Sequence, residues 1–283
     1  MRRPGLIVFA LASVLSARTV QAQQRPLVTE DAEVIGAGRM LIEGGLDLVH
    51  DQRYPASGLK GNLLSVPTIG LSFGLSSIAE LQLDGGLYNR LNITQRDPLA
   101  PLAPMLTFSG DSTHDVSDIV IATKIRMLSE GPGRPAFGIR FATKLPNASN
   151  ENGLGLDTTD FYASLLIAKT IQSVRVVGNG GFGILPDPVV GSRQNDVLTY
   201  GLSFARAMTQ SAELVGEVNG RVSTRDGEPF PGTESRSALR FAGRFTHGML
   251  RIDAGVMFGL TTVDPTLGVT AGFTYVFNAF KVP

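Results

Sequence analysis

The stretch SRSALRFAGRF, residues 235–245, places Arg236, Arg240 and Arg244 four residues apart. Four positions share one face of a helix. They also share one face of a strand, because four is twice two. The residues between the arginines decide which it is. Leu239, Phe241, Gly243 and Phe245 occupy the alternate positions. On a helix Leu239 and Phe241 would point about 200° apart. On a strand they form one apolar row opposite a basic row. The stretch therefore reads as a strand with two chemically distinct faces, not as a helical grip for phosphate.

The same reading holds along the chain. In IAELQLDGGLY, 78–88, Ala79, Leu81, Leu83, Gly85 and Leu87 alternate with Glu80, Gln82 and Asp84. Period-two alternation returns over 39–50, 62–74, 116–127, 136–145, 160–168, 174–185, 196–205, 212–222, 250–260 and 267–277. With 236–246 this predicts about twelve strands. At roughly ten to thirteen residues they are long for globular strands and suit tilted strands crossing a bilayer.

The connections alternate in length. Gly74–Ser77, 129–134, Ala168–Ser173, Met208–Ser211 and His247–Met249 are short turns. Asp51–Gly61, Asn89–Asp115, Pro146–Asp157, Pro186–Asn195 and Ser223–Ser235 are long and rich in Pro, Gly, Asn, Asp and Ser. Thr262–Thr266 is a shorter loop on the same side. Short turns at one end and long loops at the other are the mark of an outer-membrane barrel with periplasmic turns and extracellular loops.

The leader agrees. Arg2 and Arg3 precede an apolar run from Leu6 to Leu15, and Val20-Gln21-Ala22 offers a cleavage site. Residues 1–22 read as a secretory signal peptide. The 25 basic and 25 acidic residues balance, and losing Arg2, Arg3 and Arg18 with the leader leaves a net charge of −3. That argues against a general nucleic-acid binder. Cysteine is absent, which removes disulfides, thiol nucleophiles and Cys-based zinc sites.

Alternation alone leaves the inward face open, since a lipocalin-like soluble barrel buries its apolar face. Strand length, loop asymmetry and export favour the inverse, an apolar row facing lipid and a charged row facing a lumen. The expected lumen residues are Arg236, Arg240, Arg244 and Arg251; Glu213 and Glu217; Glu43, Asp47, Glu80 and Asp84; and Lys124, Arg126, Arg140 and Lys144. Neighbouring strands lie about 4.8 Å apart, so Glu217 can pair with Arg240 or Arg244. Val120, Tyr162, Leu166, Val177 and Val215 share the inner face. Two expectations follow from such a wall: a polar channel that attracts anions, or a lumen filled by its own ion pairs.

The last strand, TAGFTYVF (270–277), resembles the C-terminal signature of bacterial outer-membrane barrels, which implies recognition by the barrel-assembly machinery. RPLVTEDAEVIGAGRMLIEGG (25–45), DIVIATKIRML (118–128), FATKLPNASNENGLGLDTTDF (141–161) and GNGGFG (178–183) resemble the family named for the meta-pathway of phenol degradation. The resemblance spans roughly 25–277. It implies an outer-membrane β-barrel transporter and, through the family's name, aromatic solutes. It supplies no catalytic or ligand residues.

Other motifs yield to the strand reading. GNGGFG has dinucleotide-type glycine spacing but lies within an alternating strand with Leu185-Pro186 after it, so a helix does not follow. Its glycines more simply bend the strand or make room for bulky lumen neighbours. His50, His114 and His247 fall at scattered places, which disfavours a serine hydrolase in the wall. Asp111, Asp115 and Asp118 lack an EF-hand pattern and read as solvated loop acids rather than Ca²⁺ ligands.

The expectation is an all-β, up-and-down transmembrane barrel of about twelve strands over 38–278. A periplasmic segment, 23–37, leads into it and is free to turn into the lumen; a tail, 279–283, follows it. The partners are the lipid bilayer of the outer membrane and a small-molecule solute, with no nucleic acid and no cofactor. The expected role is passive or facilitated uptake of small solutes, aromatic or anionic compounds among them, without covalent chemistry. Alternatives are a structural or adhesive barrel with a plugged lumen, and a barrel-embedded hydrolase.

Overall fold

A computed structural model describes residues 25–281; the expected signal peptide lies outside the described residues. The chain forms one closed antiparallel sheet. Its strands are β1 (Arg39–Tyr54), β2 (Leu59–Gly74), β3 (Ala79–Gly86), β4 (Asn89–Arg96), β5 (Ser112–Asp115), β6 (Ile119–Leu128), β7 (Ala136–Leu145), β8 (Asp160–Ile171), β9 (Val174–Pro186), β10 (Gln194–Ala207), β11 (Ala212–Ser223), β12 (Arg236–His247), β13 (Leu250–Gly259) and β14 (Leu267–Asn278). Consecutive neighbours pair around the wall, and β1 closes it by pairing with both β14 and β2.

The fourteen strands make twelve staves. β2 pairs with β3 along 68–74 and with β4 along 59–65, so β3 and β4 are one stave interrupted at Leu87-Tyr88. β6 and β5 pair in turn with β3 and β4 and form the next stave, interrupted at 116–118. Pro67 sits opposite the break. It has no N–H to give to the ladder, and the Leu87 amide donates to its carbonyl instead.

Two expected loops are thereby corrected. Asn89–Asp115 is not a simple loop: it carries β4, a short 3-10 turn at Ala103–Met105, and β5. Asp51–Gly61 shrinks to residues 55–58, because β1 and β2 continue to Tyr54 and from Leu59. The cause is the same in both. Alternation in LKGNLL and NRLNITQR persists past the apolar band, so the sheet continues where side chains alone would suggest a loop. Leu59, Leu91, Leu102, Ala56 and Ala100 are buried in this outer part of the fold.

The exposed face is apolar. Leu48, Leu165, Ile167, Leu198, Leu214, Phe241, Phe245, Ile252 and Phe273 all stand outward, each at least two-fifths exposed. The alternate positions are buried and largely polar, among them Glu43, Glu80, Lys124, Glu217, Arg244 and Arg251. A soluble barrel would have these faces reversed. Around the wall closure leaves no unpaired edge, which is the condition for strands in lipid; β5, in the outer part of the fold, pairs on one side only, with β4. The chain is an outer-membrane β-barrel, and the end with the short turns and both strand termini is its periplasmic end.

Candidate functional site

The lumen is the candidate site, and its lower half is filled by the chain itself. Residues 25–36 lie inside the wall and cross from β14 and β1 to β11, then to β9, β6 and β3, before the chain enters β1 at Arg39. A buried extended segment needs partners for its backbone. The wall charges supply them. The Val28 and Thr29 amides donate to Glu217, at 2.9 and 2.8 Å. The Glu30 amide donates to Asn179 Oδ1 at 2.6 Å, and Asn179 Nδ2 donates back to the Glu30 carbonyl at 2.7 Å. The Ile35 amide donates to Glu80 at 2.7 Å and the Arg25 amide to Glu43 at 3.2 Å. The Arg25 carbonyl accepts from Arg244 Nε and Arg251 Nη2, both at 3.0 Å.

Charge matching runs alongside. TEDAE, 29–33, brings three acids against the basic part of the wall. Glu30 lies 3.3 Å from Lys124 and 3.2 Å from Arg140. Asp31 pairs with Arg175 at 2.6 Å, and Glu33 with Arg126 at 2.5 Å. Lys124, itself buried, also reaches Glu80 at 2.9 Å. In the periplasmic turn Glu130 joins Arg175 and Lys169. Burial there pulls its carboxyl upward, but the Thr170 amide and the Arg175 guanidinium outweigh it and hold the group below the usual carboxylate range.

The wall is also cut to fit. Gly45 and Gly272 are directly opposed across β1 and β14, and the Arg25 guanidinium occupies the space above them. A Cβ on Gly272 would stand 2.5 Å from Arg25 Nε. A Cβ on Gly201 would stand 2.7 Å from Thr29 Oγ1. Apolar contacts complete the seat: Ala32 clusters with Ala136, Leu166, Ala168 and Val177, and Leu27 with Val215 and Ala242.

Strand alternation puts all fourteen expected lumen residues on the face opposite the exposed apolar row. Eight of them touch the segment: Glu43, Glu80, Lys124, Arg126, Arg140, Glu217, Arg244 and Arg251. Among the others, Glu213 faces Arg244 at 3.8 Å, Arg240 bonds Glu217 at 2.9 Å and Asp84 lies 3.7 Å from Arg140. Lys144 pairs with Asp118 and Asp160, and Arg236 approaches Asp264 at 4.0 Å. Asp47 is half-buried on β1. The Glu217–Arg240 pairing expected from the sequence is a direct register pair, as is Glu213–Arg244.

The upper lumen holds a cavity of about 220 Å³, lined in part by Tyr54, Lys144, Arg221 and Arg236. Above it the 146–159 loop is tied down by two of the acids read as solvated. Asp118 accepts from the Asn147 and Ala148 amides, and Asp115 from the Ser149 amide and Asn152 Nδ2. These acids are structural anchors, which corrects the reading of them as free loop acids. Gly183 of the GNGGFG stretch accommodates the Tyr162 ring, as a wall glycine beside a bulky lumen residue should.

The histidines stay apart. His50 contacts Asn62, His114 lies in β5 against Tyr88, and His247 ends β12 at the opposite rim. Sequence reasoning left Arg175, Asn179, Arg221 and Asp253 outside the expected site, although alternation puts all four on the inner face. The acid-rich 29–33 stretch, with no strand of its own, was the available signal for the segment's route.

No family model matches the chain, and no curated protein matches it in sequence. Solved structures match its fold. The COG4313 outer membrane channel from Pseudomonas putida F1 superposes with a TM-score of 0.62 over 87% of this chain and 98% of that one, at 11% identity. The NanC porin gives 0.48 over 86% and 100%, at 9% identity. The toluene transporter TodX from Pseudomonas putida gives 0.42 over 86% and 90%, also at 9% identity. What the chain shares with the first of these is the barrel fold, at an identity too low to carry residue roles.

Proposed function

We propose that the chain is an outer-membrane channel for passive or facilitated uptake of small solutes, aromatic or anionic compounds among them. One observation carries the reading: a closed barrel with an inner wall charged from the periplasmic rim to the extracellular cavity. A barrel that only needed to be stable could fill its lumen with apolar side chains. The fold it shares with a protein described as an outer membrane channel supports the same reading. Residues 25–36 then set the width of the lower passage. The last strand, with Tyr275 and Phe277 facing outward, is the segment offered to the barrel-assembly machinery.

Planar-bilayer recording of the purified barrel tests this. Discrete conductance steps, with flux of small organic solutes into vesicles, are expected. A correctly folded barrel with neither would favour the second reading, a structural or adhesive barrel sealed by its own leading segment, which the same dense contacts of 25–36 support.

A further inference from the structure

The arginine ladder of β12 is answered unevenly. Across β11, Arg244 faces Glu213 and Arg240 faces Glu217. The top rung breaks the pattern, because Arg236 faces Arg221. Like charges directly opposed on an antiparallel pair are destabilising. The surroundings offset this pair only in part. Arg221 donates from Nε and Nη2 to the backbone carbonyls of Glu234 and Gly232, which carry no net charge. The Glu234 carboxylate acts on Arg236 through space, but its hydrogen bond goes to the Gly232 amide and to neither guanidinium. Arg236 reaches Asp264 only at 4.0 Å, and that carboxylate already accepts from the Ser237 and Thr261 amides.

Both arginines line the extracellular cavity of about 220 Å³. Arg53 and Lys144 line it too, against a single acid, Asp118, which is spent on Lys144 and two loop amides. Tyr54 and Leu156 supply apolar wall. The volume is below the roughly 300–1,000 Å³ of pockets for drug-sized ligands. It has room for one ring or a short chain.

We infer that Arg221 and Arg236 form a binding site for a small organic monocarboxylate with an apolar body, an aromatic acid being the best fit. Paired guanidinium forks match a carboxylate bidentately, and the ring lies against Tyr54 and Leu156. The bound anion would supply the charge that β11 and β12 withhold at this rung. This rests on the channel reading only for its purpose, selection of solute at the mouth; the site itself stands on the cavity.

Isothermal titration of the full-length barrel in detergent tests it, with benzoate as probe. Benzoate should bind at one site, about tenfold or more tighter than benzyl alcohol, which lacks the charge, or acetate, which lacks the ring. Arg221→Gln and Arg236→Gln, each shown folded by heat-modifiable migration, should each weaken benzoate about tenfold. Arg90→Gln, on the exposed face of β4, should leave it within about twofold. Equal binding of benzoate and benzyl alcohol by the unaltered protein would overturn the site even if no variant folded. So would benzoate affinity indifferent to both substitutions. Conductance recorded on the same preparation separates the two ideas: a conducting barrel without benzoate binding sinks the site alone, and a binding barrel without conductance sinks the channel alone.

Discussion

The two halves of the lumen use the same residue types to opposite ends. In the periplasmic half the charges that meet the inserted segment, such as Lys124, Arg126, Arg140 and Glu217, are answered across the wall or from that segment. Glu217 alone receives two backbone amides and Arg240. In the extracellular half two arginines face each other over a cavity, and neutral carbonyls hold one of them. Neutralised charges in a confined space hold something in place. Incompletely answered charges beside a cavity attract something in. A charged barrel wall is therefore not one feature: its role depends on what stands opposite each rung.

Removing residues 25–36 should raise single-channel conductance on the order of tenfold, since a chain segment is replaced by a water-filled lumen. Planar-bilayer recording reads this directly, and an unchanged conductance would mean that the segment does not limit passage.

Glu217→Ala comes next. It strands three donors of the lower half at once, with Glu217's own side chain fully buried. The cost should be about 3 kcal/mol, the low end for a broken buried pair, because Arg240 keeps Asn219 as a partner. The thermal transition followed by heat-modifiable migration measures it. A smaller loss is expected for Gly201→Val, whose Cβ would already crowd Thr29 of the segment. Overpacking there should cost about 1–3 kcal/mol and shift conductance in the direction of the deletion. In the background lacking 25–36 that cost should disappear, because the clashing partner is gone.

The smallest effect sharpens the upper half and has the opposite sign. Arg236→Gln removes one of two opposed like charges. It should leave thermal stability unchanged or raise it by about 0.2–1 kcal/mol. The same change at Arg240 should lower it. If both substitutions destabilise alike, the top rung is an ordinary structural contact and the contrast between the halves fails.

Much of this was legible in the chain because strand faces are a local property. The alternation of Leu239, Phe241 and Phe245 with the arginines fixes which side of β12 is wet, and the same parity places Glu213 and Glu217 beside them. Loop asymmetry then gave direction. The reading failed where local pattern continued past its expected boundary, as in β4, and where apparently free acids turned out to anchor a distant loop, as with Asp115 and Asp118. Arg221 was visible as an inner-face residue, but nothing local marks it as different from Arg240.

By itself the sequence determined an exported, twelve-stave barrel with its polar row inward, because a period of two needs only neighbours in the chain to be read. What fills that barrel was decided by closure. The Val28 amide finds a Glu217 oxygen 189 residues away, and Arg25 finds room only because Gly45 and Gly272 come together when β1 meets β14. Which arginine meets an acid and which meets its own kind follows from strand register, and that exists only once the wall has closed.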